Sequence, residues 1–288
     1  MNIGDKFAKK SLGQNFIVDN NFLLKMKNFI DSSNDNIILE IGPGKGALTK
    51  YLSEKRFKNL YLIEKDNNLA AELNIKYGGN KKIKIFHDDA LVHKYNYLKN
   101  EKNKVIIYGN LPFNISTKLL TLWLNVNVWP SFFDKMILMF QKEVADRILA
   151  KPNNKLYGRL SVLVQSRCEV KKLLDAPSSI FRPKPKVDGA VLQFKPIEKY
   201  RDVDFSLLGK VLEKSFNSRR KKVKNTLKDY QELASPVSIE QVEHKKIKLK
   251  RLLDSLKTKY RYIYCPWDLS DKRPGHFRGT LSSSLLVF

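Results

Sequence analysis

Five short apolar runs alternate with amphipathic segments between residues 36 and 140, and this alternation constrains the fold more than any other feature of the chain. The runs lie at residues 37–41, 60–64, 83–87, 105–108 and 136–140. Such continuous apolar runs are typical of strands that helices cover on both faces. The intervening segments, at residues 47–55, 67–77 and 117–125, predict helices. The alternation therefore predicts an α/β fold with a mainly parallel, doubly wound sheet and helices on both faces.

The alternation stops near Lys151, and the chain that follows is organised differently. Residues 157–165 predict a helix. Residues 168–174 and 187–194 predict two strands, and the segment between them contains prolines that exclude a helix.

The C-terminal part predicts a small all-α domain, with helical segments at residues 205–216 and 239–256. A chain of 288 residues suits two domains, since domains commonly have about 150 residues. We therefore expect a larger domain at residues 1–200 and a smaller helical one at 201–288. Within the latter, residues 265–288 have no clear periodicity and form an atypical tail.

A glycine-rich loop containing Gly42 and Gly44 follows the first predicted strand and opens the first helix. Glycines let a ligand approach the backbone closely, and a helix N-terminus attracts a carboxylate or a pyrophosphate. The loop also satisfies the looser dinucleotide pattern, so by itself it leaves the cofactor class open. Glu40, ahead of the first glycine, favours S-adenosylmethionine, because its carboxylate attracts an ammonium and a sulfonium and repels a pyrophosphate.

Carboxylates stand at the ends of the next two predicted strands. Glu64 can accept hydrogen bonds from both hydroxyls of a ribose, a contact that either cofactor class would use. Asp88 and Asp89 follow the third strand, and one of them can accept from an adenine amino group. Each is equally consistent with a solvated carboxylate at a strand end.

The tetrapeptide Asn110-Leu111-Pro112-Phe113 follows the fourth strand and suits methyl transfer to an exocyclic amine. The lone pair of such an amine is delocalised into the purine ring, which makes the amine a poor nucleophile. Two acceptors placed on its N–H bonds draw the nitrogen towards tetrahedral geometry. We assign these to the Asn110 side-chain oxygen and the Leu111 carbonyl. Pro112 fixes φ, and Phe113 offers a stacking face worth about 1–3 kcal/mol per base. This chemistry needs no metal. The alternative interpretation of the tetrapeptide is a turn after a strand, without a catalytic role.

Taken in order, these motifs closely resemble the ribosomal RNA adenine dimethyltransferase family of the KsgA type, over about residues 8–230. The resemblance begins at residues 10–19, a segment that folds over the cofactor in the family. It implies cofactor contacts at Asn15 and Ile17, with Gln14 beside the active site. The remaining cofactor positions that match are Gly42, Glu64, Asp89 and Asn110.

Three further segments match the family in order, at residues 141–145, 157–161 and 181–188. The resemblance implies a Rossmann-like class I methyltransferase fold with S-adenosylmethionine as cofactor. It also implies N6,N6-dimethylation of two adjacent adenosines near the 3′ end of small-subunit (16S) rRNA, and a role in ribosome biogenesis. Phe113 stands where the family usually has tyrosine, so the stacking face is kept and the hydroxyl is lost.

The chain has 54 Lys and Arg against 29 Asp and Glu, a net charge of +25, which predicts attraction to a polyanion. One basic cluster resembles a family stretch, and we assign it to RNA binding: Arg219, Arg220, Lys221 and Lys222. A second cluster lies at residues 245–251. A solvated, lysine-rich helix face is the alternative for both clusters.

Other function classes stay open. They are a large-subunit rRNA adenine methyltransferase of the resistance type, a methyltransferase acting on DNA adenine or protein glutamine, a non-catalytic rRNA-binding assembly factor, and a dehydrogenase. The DNA and protein enzymes favour a second proline where this chain has Leu111.

The remaining expectations concern metals, membranes and partners. Cys168 and Cys265 lack metal-ligand spacing, so we expect neither a metal site nor a disulfide. No apolar run reaches the length of a membrane span, and the N-terminus does not read as a signal peptide. We expect a cytoplasmic monomer that acts on small-subunit rRNA or a pre-30S particle.

Overall fold

The computed structural model describes residues 13–98, 104–126, 129–200 and 203–217. Within them the strands are β1 (Phe16–Ile17), β2 (Asn36–Ile41), β3 (Asn59–Glu64), β4 (Ile83–His87), β5 (Lys104–Gly109), β6 (Lys135–Gln141), β7 (Cys168–Ala176), β8 (Phe181–Arg182) and β9 (Gly189–Pro196). The α-helices are α1 (Asn20–Lys27), α2 (Ala47–Ser53), α3 (Asn67–Tyr77), α4 (Phe113–Leu124), α5 (Lys142–Leu149), α6 (Arg159–Arg167) and α7 (Phe205–Asn217).

Seven strands form one sheet in the order β4-β3-β2-β5-β6-β9-β7. The first five are parallel, which confirms the predicted mainly parallel sheet. Strand β9 is antiparallel to both of its neighbours, β6 and β7. Because parallel strands point the same way, the carboxyl ends of β2, β3, β4 and β5 meet at one edge of the sheet.

The centre of this sheet is buried on both faces. Successive residues of a strand point to opposite faces, and the consecutive residues Ile38 and Leu39 of β2 are both 0% exposed. Ile137 and Leu138 of β6 are buried in the same way. Burying such a side chain contributes about 1.5–3 kcal/mol relative to leaving it exposed, which explains why the runs are continuously apolar.

The helices agree with the sequence prediction to within a few residues. Helix α3 has the predicted bounds, α2 ends at Ser53, and α6 begins at Arg159, two residues later than predicted. Helix α4 begins at Phe113, four residues earlier than predicted, with Pro112 as its N-cap. A proline at a helix start loses no intrahelical hydrogen bond. Phe113 is therefore in the first turn of a helix.

Several short elements were not predicted. Helix α1 has only eight residues; the Asp19 side chain caps it by accepting from the Phe22 N–H at 2.7 Å, and Phe22, Leu23 and Met26 are buried. Helix α5 is equally short. Strands β1 and β8 have two residues each and form a separate antiparallel pair. A strand of two residues is too short to show any periodicity.

The chain divides into two compact units, Met1–Ala150 with Leu160–Asp202, and Lys151–Arg159 with Val203–Phe288. In the second unit, helix α7 confirms the helix predicted at 205–216. Its buried residues recur at helical spacing: Phe205, Leu208, Val211 and Leu212.

The helix predicted at 239–256 and the tail at 265–288 lie outside the described residues. The domain boundary between residues 200 and 201 stays a prediction, as does the all-α character of the C-terminal domain beyond α7. None of the helices in the four described ranges is both long and apolar enough to cross a bilayer.

Candidate active site

A cleft opens at the edge of the sheet where the parallel strands end. It is lined by residues 13–18, 40–45, 47–48, 63–65, 88–90, 110–115 and 181–182. The cleft lies where an open α/β sheet generally binds ligands, outside the carboxyl ends of its strands. Every cofactor-binding and catalytic residue predicted from the sequence is among the residues that line it: Asn15, Ile17, Gly42, Gly44, Glu64, Asp89, Asn110, Leu111, Pro112 and Phe113.

The loop between β2 and α2 needs its glycines. Gly42, Gly44 and Gly46 all have positive φ, at 63°, 59° and 79°, a region that side chains with a Cβ rarely adopt. A Cβ at Gly44 would also lie 3.0 Å from the ring of Phe16. The Gly42 N–H donates to the Ile63 carbonyl at 3.0 Å, which ties the loop to the neighbouring strand.

Glu40 lines the cleft and is only 2% exposed. The Thr49 hydroxyl donates to its Oε2 at 2.6 Å. Burial raises the pKa of this carboxyl from 4.5 to about 8. Glu40 is therefore mostly protonated at neutral pH, and a cation placed beside it would favour the ionised form. The sequence analysis expects a negatively charged carboxylate at this position. The structure supports that charge only when a cationic ligand is bound beside it.

Glu64 ends strand β3 and is also buried. Its Oε2 accepts from the Gly44 N–H at 3.0 Å, and its Oε1 accepts from the Asp66 N–H at 2.9 Å. Burial raises the pKa of Glu64, and the backbone hydrogen bonds oppose that shift. These bonds hold the carboxyl group at the cleft, and each oxygen keeps a second lone pair.

Asp88 and Asp89 follow strand β4 and both line the cleft. Asp89 Oδ2 pairs with the Lys65 ammonium at 2.7 Å, and Oδ1 accepts from the Leu91 N–H at 3.0 Å. The hydrogen bond from Lys65 is the main reason that the pKa of Asp89 is lowered. Asp89 is therefore an ionised acceptor that lines the cleft.

Asn110 follows β5, directly after Gly109 at the strand end. Its Nδ2 donates to the Asn15 carbonyl at 3.0 Å, which sets the orientation of the amide. Leu111 is buried, whereas Phe113 is half-buried at the cleft wall. The tetrapeptide thus faces the cleft, as the sequence interpretation requires; the catalytic roles of its atoms stay predictions.

The N-terminal segment is held over the cleft by a contact that the sequence does not reveal. Phe16 pairs with Arg182 and Ile17 with Phe181 in the β1–β8 ladder. The Val18 N–H also donates to the Ile180 carbonyl at 2.9 Å. The described part of the first motif, from residue 13 onwards, is therefore paired with the start of the motif at residues 181–188. Phe181 and Arg182 line the cleft and were not among the predicted site residues.

The predicted RNA-binding residues Arg219, Arg220, Lys221 and Lys222 lie outside the described residues, as does the basic cluster at 245–251. Their assignment to RNA binding stays a prediction.

Comparison with known sequences gives a consistent set of relatives. Residues 5–260 match the model of the family described as ribosomal RNA adenine dimethylase. A Pelagibacter ubique protein named ribosomal RNA small subunit methyltransferase A is 44% identical over 219 residues, covering 75% of this chain and 81% of that protein. A Ruegeria pomeroyi protein of the same name is 38% identical over 225 residues, covering 77% and 79%.

Two solved structures share the fold over most of the chain. A dimethyladenosine transferase from Plasmodium falciparum superposes with a TM-score of 0.67 at 25% identity, covering 85% of this chain and 98% of that one. The 23S rRNA methyltransferase ErmE superposes with a TM-score of 0.58 at 21% identity, covering 74% and 83%. The predicted Rossmann-like class I methyltransferase fold is thereby confirmed.

Proposed function

Because the chain belongs to the ribosomal RNA adenine dimethylase family, we propose that it converts two adjacent adenosines near the 3′ end of small-subunit rRNA to N6,N6-dimethyladenosine. S-adenosylmethionine is the cofactor. The observation that carries this proposal is one cleft in which the glycine loop, Glu64, Asp89 and Asn110 all meet.

The cleft suits a cationic nucleoside cofactor. Two buried carboxyl groups, those of Glu40 and Glu64, line it, and a nearby cation would stabilise their ionised forms. We assign Glu64 to the ribose hydroxyls and Asp89 to the adenine amino group. Asn15, Ile17, Gly42 and Gly44 complete the binding surface. S-adenosylmethionine, when bound, supplies an electrophilic methyl group on its sulfonium.

The chain's own residues prepare the target amine. The bond from Asn110 Nδ2 to the Asn15 carbonyl fixes the amide, so we assign its Oδ1 to one N–H of the target amine and the Leu111 carbonyl to the other. Drawing the nitrogen towards tetrahedral geometry aims its lone pair at the methyl group. Phe113 stacks on the flipped adenine. Catalysis then rests on positioning and on fixed dipoles.

The substrate assignment rests on the relatives. Those at 37–44% identity are named for the small ribosomal subunit, whereas ErmE, at 21% identity, supports the fold alone. We extend the small-subunit activity to this chain, with the pre-30S particle as substrate, a monomer as the active form, and the cytoplasm as its location. The cluster from Arg219 to Lys222 would bind the RNA backbone.

The decisive test is methyl incorporation by Asn110→Ala. Wild-type protein should transfer labelled methyl groups from S-adenosylmethionine to unmethylated small subunits, and mass spectrometry should place dimethyladenosine in their rRNA. Asn110→Ala should lose at least about a hundredfold in rate, the scale of removing one transition-state hydrogen-bonding group. Asn67→Ala, an exposed asparagine of α3 outside the cleft, should match wild type.

Two results would count against this assignment. Wild-type rates from Asn110→Ala would remove the acceptor role of that side chain. Binding of small subunits by the wild-type protein without any methyl transfer would favour a non-catalytic assembly factor.

A further inference from the structure

The turn after strand β4 places Asp88 and Asp89 at the cleft, and backbone hydrogen bonds join Asp89 to residues 92 and 93. The Asp88 N–H donates to the Glu64 carbonyl at 3.0 Å, which ties the start of the turn to β3. The Asp89 carbonyl accepts from the N–H groups of Val92, at 3.0 Å, and His93, at 2.9 Å. The position of the Asp89 side chain therefore depends on the shape of this turn.

His93 makes a side-chain contact across the same turn. Its Nδ1 lies 2.6 Å from Asp88 Oδ2. A carboxylate can only accept, so Nδ1 carries the proton and donates. The other oxygen, Asp88 Oδ1, accepts from the Asp89 N–H at 2.8 Å. One carboxylate thus joins the His93 ring to the backbone of Asp89.

The His93 ring is held in this orientation by its neighbours. The ring centroids of Phe86 and Tyr95 lie 5.1 and 5.0 Å from that of His93, both in edge-on geometry. On its other side, Nε2 lies 3.0 Å from the Tyr97 hydroxyl. The side chain is 7% exposed. The imidazole is therefore part of a packed aromatic cluster, and its Nδ1 faces Asp88.

We propose that His93 is a positioning residue for Asp89, the residue that we assign to the adenine amino group. Its hydrogen bond fixes the Asp88 carboxylate, which fixes the backbone of Asp89, so that the Asp89 carboxylate is already in place for an exocyclic amino group. Groups that hold a binding residue in advance reduce the cost of ordering it when the ligand arrives. The inference rests on the proposed function, in which Asp89 receives the adenine amino group of the cofactor.

The test compares two ligands that differ only at the purine edge that carries this amino group, at C6 and at N1. Calorimetry on the full chain would measure binding of S-adenosylhomocysteine and of S-inosylhomocysteine, in which an oxo group replaces the amino group. Wild-type protein should prefer the adenine form. His93→Phe, which keeps an aromatic ring and removes the donor, should lower affinity for the adenine form about tenfold. Affinity for the hypoxanthine form should change little, so the ratio of the two affinities should decrease.

Matched variants separate positioning from simple loss of structure. His93→Asn places an amide N–H near the position of Nδ1 and should recover much of the preference, whereas Lys94→Ala, at the exposed neighbouring residue, should behave as wild type. If His93→Phe does not fold, the contrast between His93→Ala and His93→Asn decides in the same way.

The proposal is overturned by an unchanged preference in His93→Phe, by an equal loss of affinity for both ligands, or by a wild-type protein without any preference. The measurement involves no rRNA, so a failure of methyl transfer to small subunits would leave its result intact. Absence of binding of either ligand by the wild type would instead reject the cofactor assignment itself.

Discussion

At the scale of single residues, Glu40 is the group whose chemistry depends most on its surroundings. Its carboxyl is buried and accepts a hydrogen bond from the Thr49 hydroxyl of helix α2. Burial disfavours its ionised form and raises its pKa to about 8. A buried acid of this kind makes a binding site sensitive to the charge of its ligand.

The raised pKa predicts how the stability of the ligand-free protein changes with pH. Below pH 4.5, Glu40 is protonated in both the folded and the unfolded chain. Between pH 4.5 and about 8 the unfolded chain ionises while the folded one keeps the proton. The folded state then binds more protons, so the free energy of unfolding decreases as pH rises through this window.

Glu40→Gln should remove this decrease in the free energy of unfolding, because glutamine is neutral in both states. Its side-chain oxygen can still accept the hydrogen bond from Thr49. We expect equal melting temperatures for mutant and wild type near pH 4, and a more stable mutant at pH 8. Each unit of pKa difference is worth about 1.4 kcal/mol. Scanning calorimetry across this range is the measurement, with Glu72→Gln, an exposed residue of α3, as the control. A mutant difference that does not vary with pH would contradict the assignment.

At the scale of elements, the site is assembled from strand ends and from one small ladder. The parallel strands bring Gly42, Glu64, Asp89 and Asn110 to one edge of the sheet. The β1–β8 pair then places Asn15 and Ile17 over them. Two residues per strand form few hydrogen bonds, so this ladder is a weak point of the site and local opening should begin there.

Removing the hydrogen bond that flanks this pair should weaken cofactor binding without unfolding the protein. Val18→Pro deletes the N–H that donates to the Ile180 carbonyl, and the Val18 side chain itself is 51% exposed. We expect weaker binding of S-adenosylhomocysteine, by about threefold to tenfold, with a nearly unchanged melting temperature.

Val18→Ala keeps the N–H and is the matched control for Val18→Pro. Calorimetric titration of both variants would measure the affinity, and limited proteolysis should cut the N-terminal segment faster in the proline variant. Equal affinities in the two variants would show that the hydrogen bond between Val18 and Ile180 does not support the cofactor site.

At the scale of the whole molecule, the net charge of +25 predicts binding to small subunits that weakens steeply with salt. We expect replacement of Arg219, Arg220, Lys221 and Lys222 by alanine to lower the affinity and to make the plot of log K against log salt less steep. The magnitude of its negative slope should decrease by about 0.7–0.9 for each phosphate that the variant no longer neutralises. Binding of S-adenosylhomocysteine should not change.

A variant that removes the same charge elsewhere tests whether position matters. Four exposed lysines of the first unit serve for this: Lys50, Lys76, Lys81 and Lys82. Filter binding to small subunits at several salt concentrations is the measurement. Equal effects of the two quadruple variants would mean that the charge acts only through its total and that no cluster binds the RNA.

The sequence by itself determined the order and type of the main elements and the identity of the residues at the strand ends. Both are local properties: burial on two faces requires a continuous apolar run, and a strand end requires a turn. Since the strands are parallel, residues that follow β2, β3, β4 and β5 had to meet, which is why predictions at Glu64 and Asn110 could be made without coordinates.

Only the tertiary structure decided which distant segments touch and which acids are charged. The pairing of Phe16 with Arg182 depends on contacts between segments far apart in the chain. The protonation of Glu40 depends on how completely it is removed from water, and the link from His93 to Asp89 depends on ring packing. No local pattern encodes these properties, because each arises from neighbours that the fold supplies.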